Sequence, residues 1–330
     1  MSTLLLYFIL FDCLVSMTRY STEKQVVLIS GGSQGLGESF AKRFVQENNK
    51  VIIVSRSDEK LRQACQRIGV DGITLGEYQG RGVSEDKSWK CPQLLYHACD
   101  MSDYESVDSM FKLLVKNELV PTQVYMCAGG SIPKLFVELS ASELQNGITT
   151  NYATAVNLAH VSLRFKVPHI LFFSSEVAFF PFIGYAQYAP LKQSIRSLVA
   201  ILRQEHADTR ITCVYPGNFQ SEGFDLENMT KPSITRDIEG PSHPVTAAQC
   251  RDKIISSLKY GLDDITTDSI GWLLMACDQG FNKHTSNQFM FLFSWILGAI
   301  LNITIVPIYM LICKFQIYQW RNKRAKSDKT

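Results

Sequence analysis

Short apolar runs, mostly aliphatic, recur at residues 26–29, 51–54, 94–99, 124–127, 170–173 and 211–215. Unbroken runs of this kind, rather than alternating ones, belong to parallel strands covered on both faces. Between them, apolar positions fall at helical spacing, as in Phe40, Ala41, Phe44 and Val45, or Ile195, Leu198, Val199 and Leu202. The alternation predicts an α/β fold, a doubly wound parallel sheet in a single domain. Residues 69–92, rich in Gly, Ser and charge, interrupt it. Connections at such a place are normally a few residues long, so the segment is an insertion, either a flap or a disordered loop.

Both ends leave the pattern. Residues 289–313 form 25 positions without a charge, and residues 3–17 form 15 with only Asp12. As one helix the first would reach ~37 Å, enough for a ~30 Å hydrocarbon core. The chain therefore divides into a hydrophobic extension (1–17), a globular body (18–284, insertion 69–92), a membrane-associated segment (285–313) and a basic tail (314–330). The extension lacks a basic n-region and an A-x-A site, which makes it a poor signal peptide. It is an extra anchor or an extension upstream of Met17.

Charge narrows the function classes. The tail holds six Lys/Arg against one Asp in a chain of net +2, so the residues before it carry net −3. A body of that sign is a poor nucleic-acid binder. Nine scattered cysteines without C-x-x-C read as free thiols in a reducing compartment, and six histidines without ligand spacing give no metal site. The positive-inside rule keeps the tail cytosolic, and the thiols put the body on the same side. One straight span is then awkward, and a re-entrant or interfacial hairpin bent near 298–302 or at Pro307 reconciles the two. The sequon at Asn228 is expected to be unmodified. Oligomeric state is left open, a homo-oligomer included.

The first strand runs directly into Gly31-Gly32-Ser33-Gln34-Gly35-Leu36-Gly37 and then an amphipathic helix. Gly31, Gly35 and Gly37 let the backbone approach a pyrophosphate at the helix N-terminus, as in a Rossmann-type dinucleotide domain. After the second strand, where an NAD-preferring domain carries an acid, stand Arg56 and, one turn on, Lys60. A guanidinium suits a 2′-phosphate, so the cofactor expected is NADPH. Asp100, ending the third run, either borders the adenine or caps the next helix. Ala128-Gly129-Gly130 removes side chains beside the cofactor.

Ser175 ends an apolar run 13 residues before Tyr188, and Tyr188 and Lys192 share a helix face at i, i+4. Reducing a ketone needs a proton donor for the developing alkoxide. A phenol serves if a nearby ammonium lowers its pKa, and a serine hydroxyl polarises the carbonyl.

Together, Gly31-x-x-x-Gly35-x-Gly37, Ala128-Gly129, Ser175, Tyr188-x-x-x-Lys192 and Pro216-Gly217 resemble the motif set of the short-chain dehydrogenase/reductase family. That resemblance implies Asn151 as a fourth catalytic residue, tying a water to the lysine. Two positions depart from it: Met126-Cys127 replaces Asn-Asn, and Ser30 replaces the Thr before the glycine turn. A narrower likeness covers most of residues 24–280, carried by residues 25–37, 181–190, 214–224 and Gly271-Trp272. It is to the fungal 3-ketodihydrosphingosine reductase branch. This implies a G-x-S-x-G turn (Gly31, Ser33, Gly35), cofactor contacts from Arg56, Lys60 and Asp100, a long-chain sphingoid ketone as substrate, and the endoplasmic reticulum membrane with the body facing the cytosol. The apolar segment 219–246 falls where such folds build a substrate lid. Alternatives of the same fold are reductases of retinoids, steroids or 3-ketoacyl-CoA; a non-catalytic NADP-binding adaptor is the alternative of another class.

Overall fold

Each aliphatic run becomes a strand because helices cover the sheet on both sides. The computed structural model describes residues 20–78, 93–280 and 288–327. Strands β1 (Val26–Ser30), β2 (Lys50–Ser55), β3 (Ile73–Thr74), β4 (Gln93–Ala98), β5 (Gln123–Met126), β6 (His169–Phe173), β7 (Arg210–Tyr215) and β8 (Asp264–Thr266) form one sheet. Their order is β3-β4-β2-β1-β5-β6-β7-β8, and every pairing is parallel. Ser30 of β1 pairs with Val54 on one side and Met126 on the other. The direction of winding reverses there, and the crevice beyond those strand ends is where open α/β sheets bind ligands.

The helices are α1 (Gly35–Gln46), α2 (Asp58–Ile68), α3 (Tyr104–Lys116), α4 (Ala141–Ile148), α5 (Thr154–Arg164) and α6 (Ala189–Glu205). After them come α7 (Glu222–Thr230), α8 (Ser233–Glu239), α9 (Ala247–Lys259), α10 (Ser269–Cys277), α11 (Gln288–Ile303) and α12 (Ile305–Ser327). On one face Phe40 of α1 packs 4.8 Å from the Tyr125 ring and 5.9 Å from Phe173, joined by apolar residues of α2 and α9. On the other, Phe111 and Leu158 of α3 and α5 and Ile195 of α6 cover Leu28, Val124 and Phe172. The seven cysteines among the described residues are free, and five are buried.

Two strands are additional to the six apolar runs. The insertion does not start as a loop: β3 adds an edge beside β4, and Leu75, fully buried, bonds through its N–H to Tyr96 O at 2.9 Å. At two and three residues, β3 and β8 are too short to leave a periodic signal. The rest of the insertion, from residue 79, and the extension 1–17 lie outside the described residues.

The charge-free run 289–313 is not one helix. Among the described residues no single helix is long and apolar enough to cross a membrane; α11 and α12 meet at a 45° bend with Thr304 between them. Pro307 accounts for the break, since it lacks the N–H that would bond Ile303 O, and its ring crowds that carbonyl. The pair docks on the body. A Cβ at Gly298 would overlap the Ala276 carbonyl, and Asn302 Nδ2 donates to Cys277 O at 2.8 Å. On α12, Tyr309 Oη donates to Ile238 O at 2.9 Å, and Cys313 is buried against Ile234 and Ile238 of α8. The outward side stays apolar: Phe289, Trp295, Ile300, Ile308, Leu311 and Phe315 are exposed.

Because Gly298 permits the close approach of α11 to α10, Gly298→Val should weaken docking by about 1–3 kcal/mol. Hydrogen exchange of α11 checks it: faster exchange there, with β1 and β5 unchanged, is the expected result, and unaltered protection is the contrary one.

Candidate active site

The turn between β1 and α1 is shaped for an anion. Gly31 has φ +68°, and a Cβ there would come within 2.8 Å of Ala128 N, so only glycine lets the turn lie against the Ala128-Gly129 loop. Gly35 has φ +57°, and a Cβ there would make an ordinary contact with Ser221 at 3.5 Å, so it is the backbone angle that favours glycine. Buried Ser33 and Leu36 flank them, and a Cβ at Gly37 would overlap Gly31 O. Ser57, Asp103, Ser140, Thr246 and Asp268 cap their helices with side chains, whereas Gln34 leaves α1 without a side-chain cap. The first-turn N–H donors of α1 thus face the crevice with the positive end of the helix dipole behind them. Glu38, the acid of that turn, pairs with Arg67 at 2.7 Å, and Arg67 also donates to Ser33 O at 2.8 Å.

Arg56 follows β2 and is exposed, as is Lys60 one turn later. Asp100 accepts from Ser102 N at 2.9 Å and Ser102 Oγ at 2.7 Å, which makes it a capping residue of the turn toward α3. Those bonds hold its carboxyl below the usual range, and the neighbouring Arg56 charge adds to the effect. An uncapped anion-binding turn, and Arg56 rather than an acid directly after β2 with Lys60 one turn on, fit a phosphorylated dinucleotide; Asp58, the first acid beyond, pairs with Arg62 at 2.8 Å.

Beyond β6 the catalytic candidates converge. Ser175 caps the short turn Glu176–Ala178, and Tyr188 immediately precedes α6, whose second residue is Pro190, suited to a first turn. Lys192 is 3% exposed; its Nζ donates to Phe173 O at 2.9 Å and lies 5.4 Å from the centre of the Tyr188 ring. Ser174 Oγ donates to Lys192 O at 2.8 Å, fixing the helix to the strand end. Asn151 sits in a π-helical turn, Thr149–Ala153, between α4 and α5, an irregularity that recurs at functional sites. Its Oδ1 accepts from Gly130 N at 3.0 Å and its Nδ2 donates to Gly130 O at 2.8 Å. A Cβ on Gly129 would stand 3.0 Å from Asn151 Oδ1 and 3.1 Å from Lys192 Nζ, so this glycine leaves room for the amide and the ammonium on either side of it.

The electrostatics differ from the sequence expectation. Burial pushes the Lys192 ammonium down to about 8. The Tyr188 phenol, expected to be lowered by Lys192, is raised, first by burial and then by the negative charge of Glu227, with a Ser175 hydrogen bond acting the other way.

A chain with this sheet and site has many relatives. Residues 25–212 match the KR domain family. The 3-ketodihydrosphingosine reductase TSC10 of Kluyveromyces lactis is 76% identical over 318 residues, 94% of this chain and 100% of that protein. Its counterparts in Eremothecium gossypii and Saccharomyces cerevisiae are 49% and 46% identical, covering 94% and 92% of this chain and 97% of each relative. The chain belongs to the 3-ketodihydrosphingosine reductase family. Among solved structures, an alcohol dehydrogenase of Thermococcus sibiricus complexed with 5-hydroxy-NADP superposes with TM-score 0.57 at 20% identity, over 74% of this chain and 95% of that one. A short-chain dehydrogenase/reductase of Vibrio parahaemolyticus gives 0.54 at 20%, over 73% and 98%. Both share the fold.

Two groups of site residues were not legible in the sequence. The lid 219–246 is not an apolar cover: α7 carries Glu227 inward, where Ser131 Oγ and Tyr185 Oη each donate to it at 2.5 Å, and Lys231 joins it at 3.0 Å and Glu239 at 2.7 Å. The second group is a carboxyl pair, Glu176 beside Ser175 and Asp268 at the start of α10, packed against Gly217 and Gly271. The two motif glycines of that region thereby acquire a reason, since a Cβ on either would strike these carboxyls. Burial, then Asp268, pushes Glu176 up to about 8, against a lesser pull from Lys253.

With its folded pKa raised, Glu176 keeps its proton in the folded chain while the unfolded chain has lost it. Stability should therefore fall as pH rises from the ordinary carboxylate range to about 8 and level off above. Glu176→Gln should flatten that slope in a thermal-midpoint series from pH 5 to 9; an unchanged slope would assign the pH dependence elsewhere.

Proposed function

We propose that this chain reduces 3-ketosphinganine to sphinganine with NADPH, a step of sphingolipid synthesis. The observation that carries the reading is the chain of neighbours Ser175, Tyr188 and Lys192, with Lys192 and Asn151 both against Gly129, beside an uncapped glycine turn. The substrate assignment rests on relatives that bear that enzyme's name along nearly their whole length.

Gly31, Ser33, Gln34, Gly35, Leu36 and Gly37 hold the pyrophosphate, Arg56 and Lys60 take the 2′-phosphate, and Asp100 borders the adenine. Gly129 leaves room beside Lys192 for the ribose. When bound, NADPH supplies the hydride. Ser175 donates a hydrogen bond to the ketone oxygen and orients it. Tyr188 Oη gives its proton to that oxygen as the alcohol forms. Lys192 keeps a positive charge beside the phenol during the transfer, and Asn151 fixes the Gly129–Gly130 backbone and holds the water through which Lys192 regains contact with solvent.

The place we assign is the endoplasmic reticulum membrane, body toward the cytosol, with α11 and α12 lying in the interface as a pair of helices bent by 45°. Supporting this are their exposed apolar residues, the basic tail, and the packing of α12 near Phe180, Phe182 and Ile183, which lie between Ser175 and Tyr188. A long-chain ketone that stays in the bilayer would reach the cleft from that side.

Tyr188→Phe should lower kcat by about 10²–10⁴-fold while leaving NADPH binding intact by fluorescence titration; unchanged turnover would remove Tyr188 as proton donor. Arg56→Glu should raise the KM for NADPH about tenfold or more with that for NADH little altered; equal effects on both would detach Arg56 from the 2′-phosphate.

A further inference from the structure

We propose that Glu227 is the receptor for the ammonium group of the substrate, and so determines specificity for a 2-amino ketone. The inference rests on the reading of 3-ketosphinganine as substrate. That molecule carries its amine on the carbon next to the ketone, so the group that accepts the amine must stand close to the residues that hold the ketone oxygen. Glu227 does. It reaches in from the lid helix α7, takes the hydroxyl of Tyr185, whose ring is 6.1 Å from that of Tyr188, and takes Ser131, one residue beyond Gly130. Tyr188 lies within its field.

Charge and hydrogen-bond capacity agree with that role. Lys231, its side chain 2% exposed, is shared between Glu227 and Glu239, so the three groups carry one negative charge in excess, the complement of a single ammonium. Glu227 Oε1 accepts from Tyr185 and Lys231, whereas among the described residues Oε2 accepts from Ser131 only, which leaves that oxygen room for another donor. The side chain keeps 17% exposure. An ammonium seated there would offset the negative charge that raises the Tyr188 phenol, making it a stronger acid when the proton must move. An amine-free ketone would leave Glu227 uncompensated.

Full-length protein in detergent is assayed with 3-ketosphinganine and with 1-hydroxyoctadecan-3-one, which has the same chain and no amine. The wild type should favour the amino ketone by about tenfold to hundredfold in kcat/KM. Glu227→Gln should remove that preference, by raising KM for the amino ketone and by leaving kcat/KM for the amine-free ketone at or above the wild-type value, since the uncompensated charge near Tyr188 is gone, with NADPH affinity unchanged. Equal use of both ketones by the wild type, a comparison that needs no variant to fold, overturns the proposal. So does equal loss for both in Glu227→Gln with NADPH still bound. Failure of the wild type to reduce 3-ketosphinganine at all would instead overturn the substrate reading on which the proposal stands.

Discussion

An ammonium ion buried at the end of a β-strand is the constraint around which the site is built. Taking a charge out of water is costly unless it is hydrogen-bonded, and Lys192 is almost wholly enclosed. The Phe173 carbonyl accepts from it, the Tyr188 ring lies near it, and burial lowers its pKa only to about 8, so at neutral pH the charge persists. The neighbouring irregularities serve this geometry. Gly129 has no side chain because Lys192 Nζ and Asn151 Oδ1 occupy the space. Asn151 stands in a π turn with both ends of its amide on the Gly130 backbone.

The cofactor crevice and the substrate side use opposite electrostatics. At α1 the helix end lacks a side-chain cap and its first-turn acid is paired with Arg67, which leaves a net attraction for phosphate. Across the site the lid contributes a surplus negative charge through Glu227 and Glu239. In the proposed reading the anion-binding and cation-binding ends meet at Tyr188, with the ketone between them. The docking of α12 on α8 joins the apolar bent pair to the segment that carries Glu227, so in the proposed reading the element facing lipid also supports a wall of the substrate cleft.

How much of this was legible follows from the range of each interaction. β1, β2 and β4 to β7 announce themselves because each is buried on both faces, and the glycine turn and the Tyr188–Lys192 spacing are local signals. Glu227 escapes a sequence reading because its partners Ser131 and Tyr185 lie 96 and 42 residues away. Glu176 escapes it because its shift comes from burial beside Asp268. The direction of the Tyr188 shift was missed for the same reason: the ammonium is local in sequence, but the surrounding protein and the carboxylate of α7 outweigh it. The bend in the hydrophobic tail was legible, because Pro307 lacks the donor that Ile303 O requires and the break falls at Thr304 beside it; its size, 45° rather than the reversal of a hairpin, was not.

The central claim is that this constellation hands a proton to the ketone of a sphingoid base as NADPH is consumed. Its most direct test is NADPH oxidation by the purified full chain given 3-ketosphinganine, with a 3-ketoacyl-CoA of equal chain length run beside it. The account predicts one sphinganine formed per NADPH consumed and little turnover of the thioester. Turnover of the thioester without reduction of 3-ketosphinganine would contradict it.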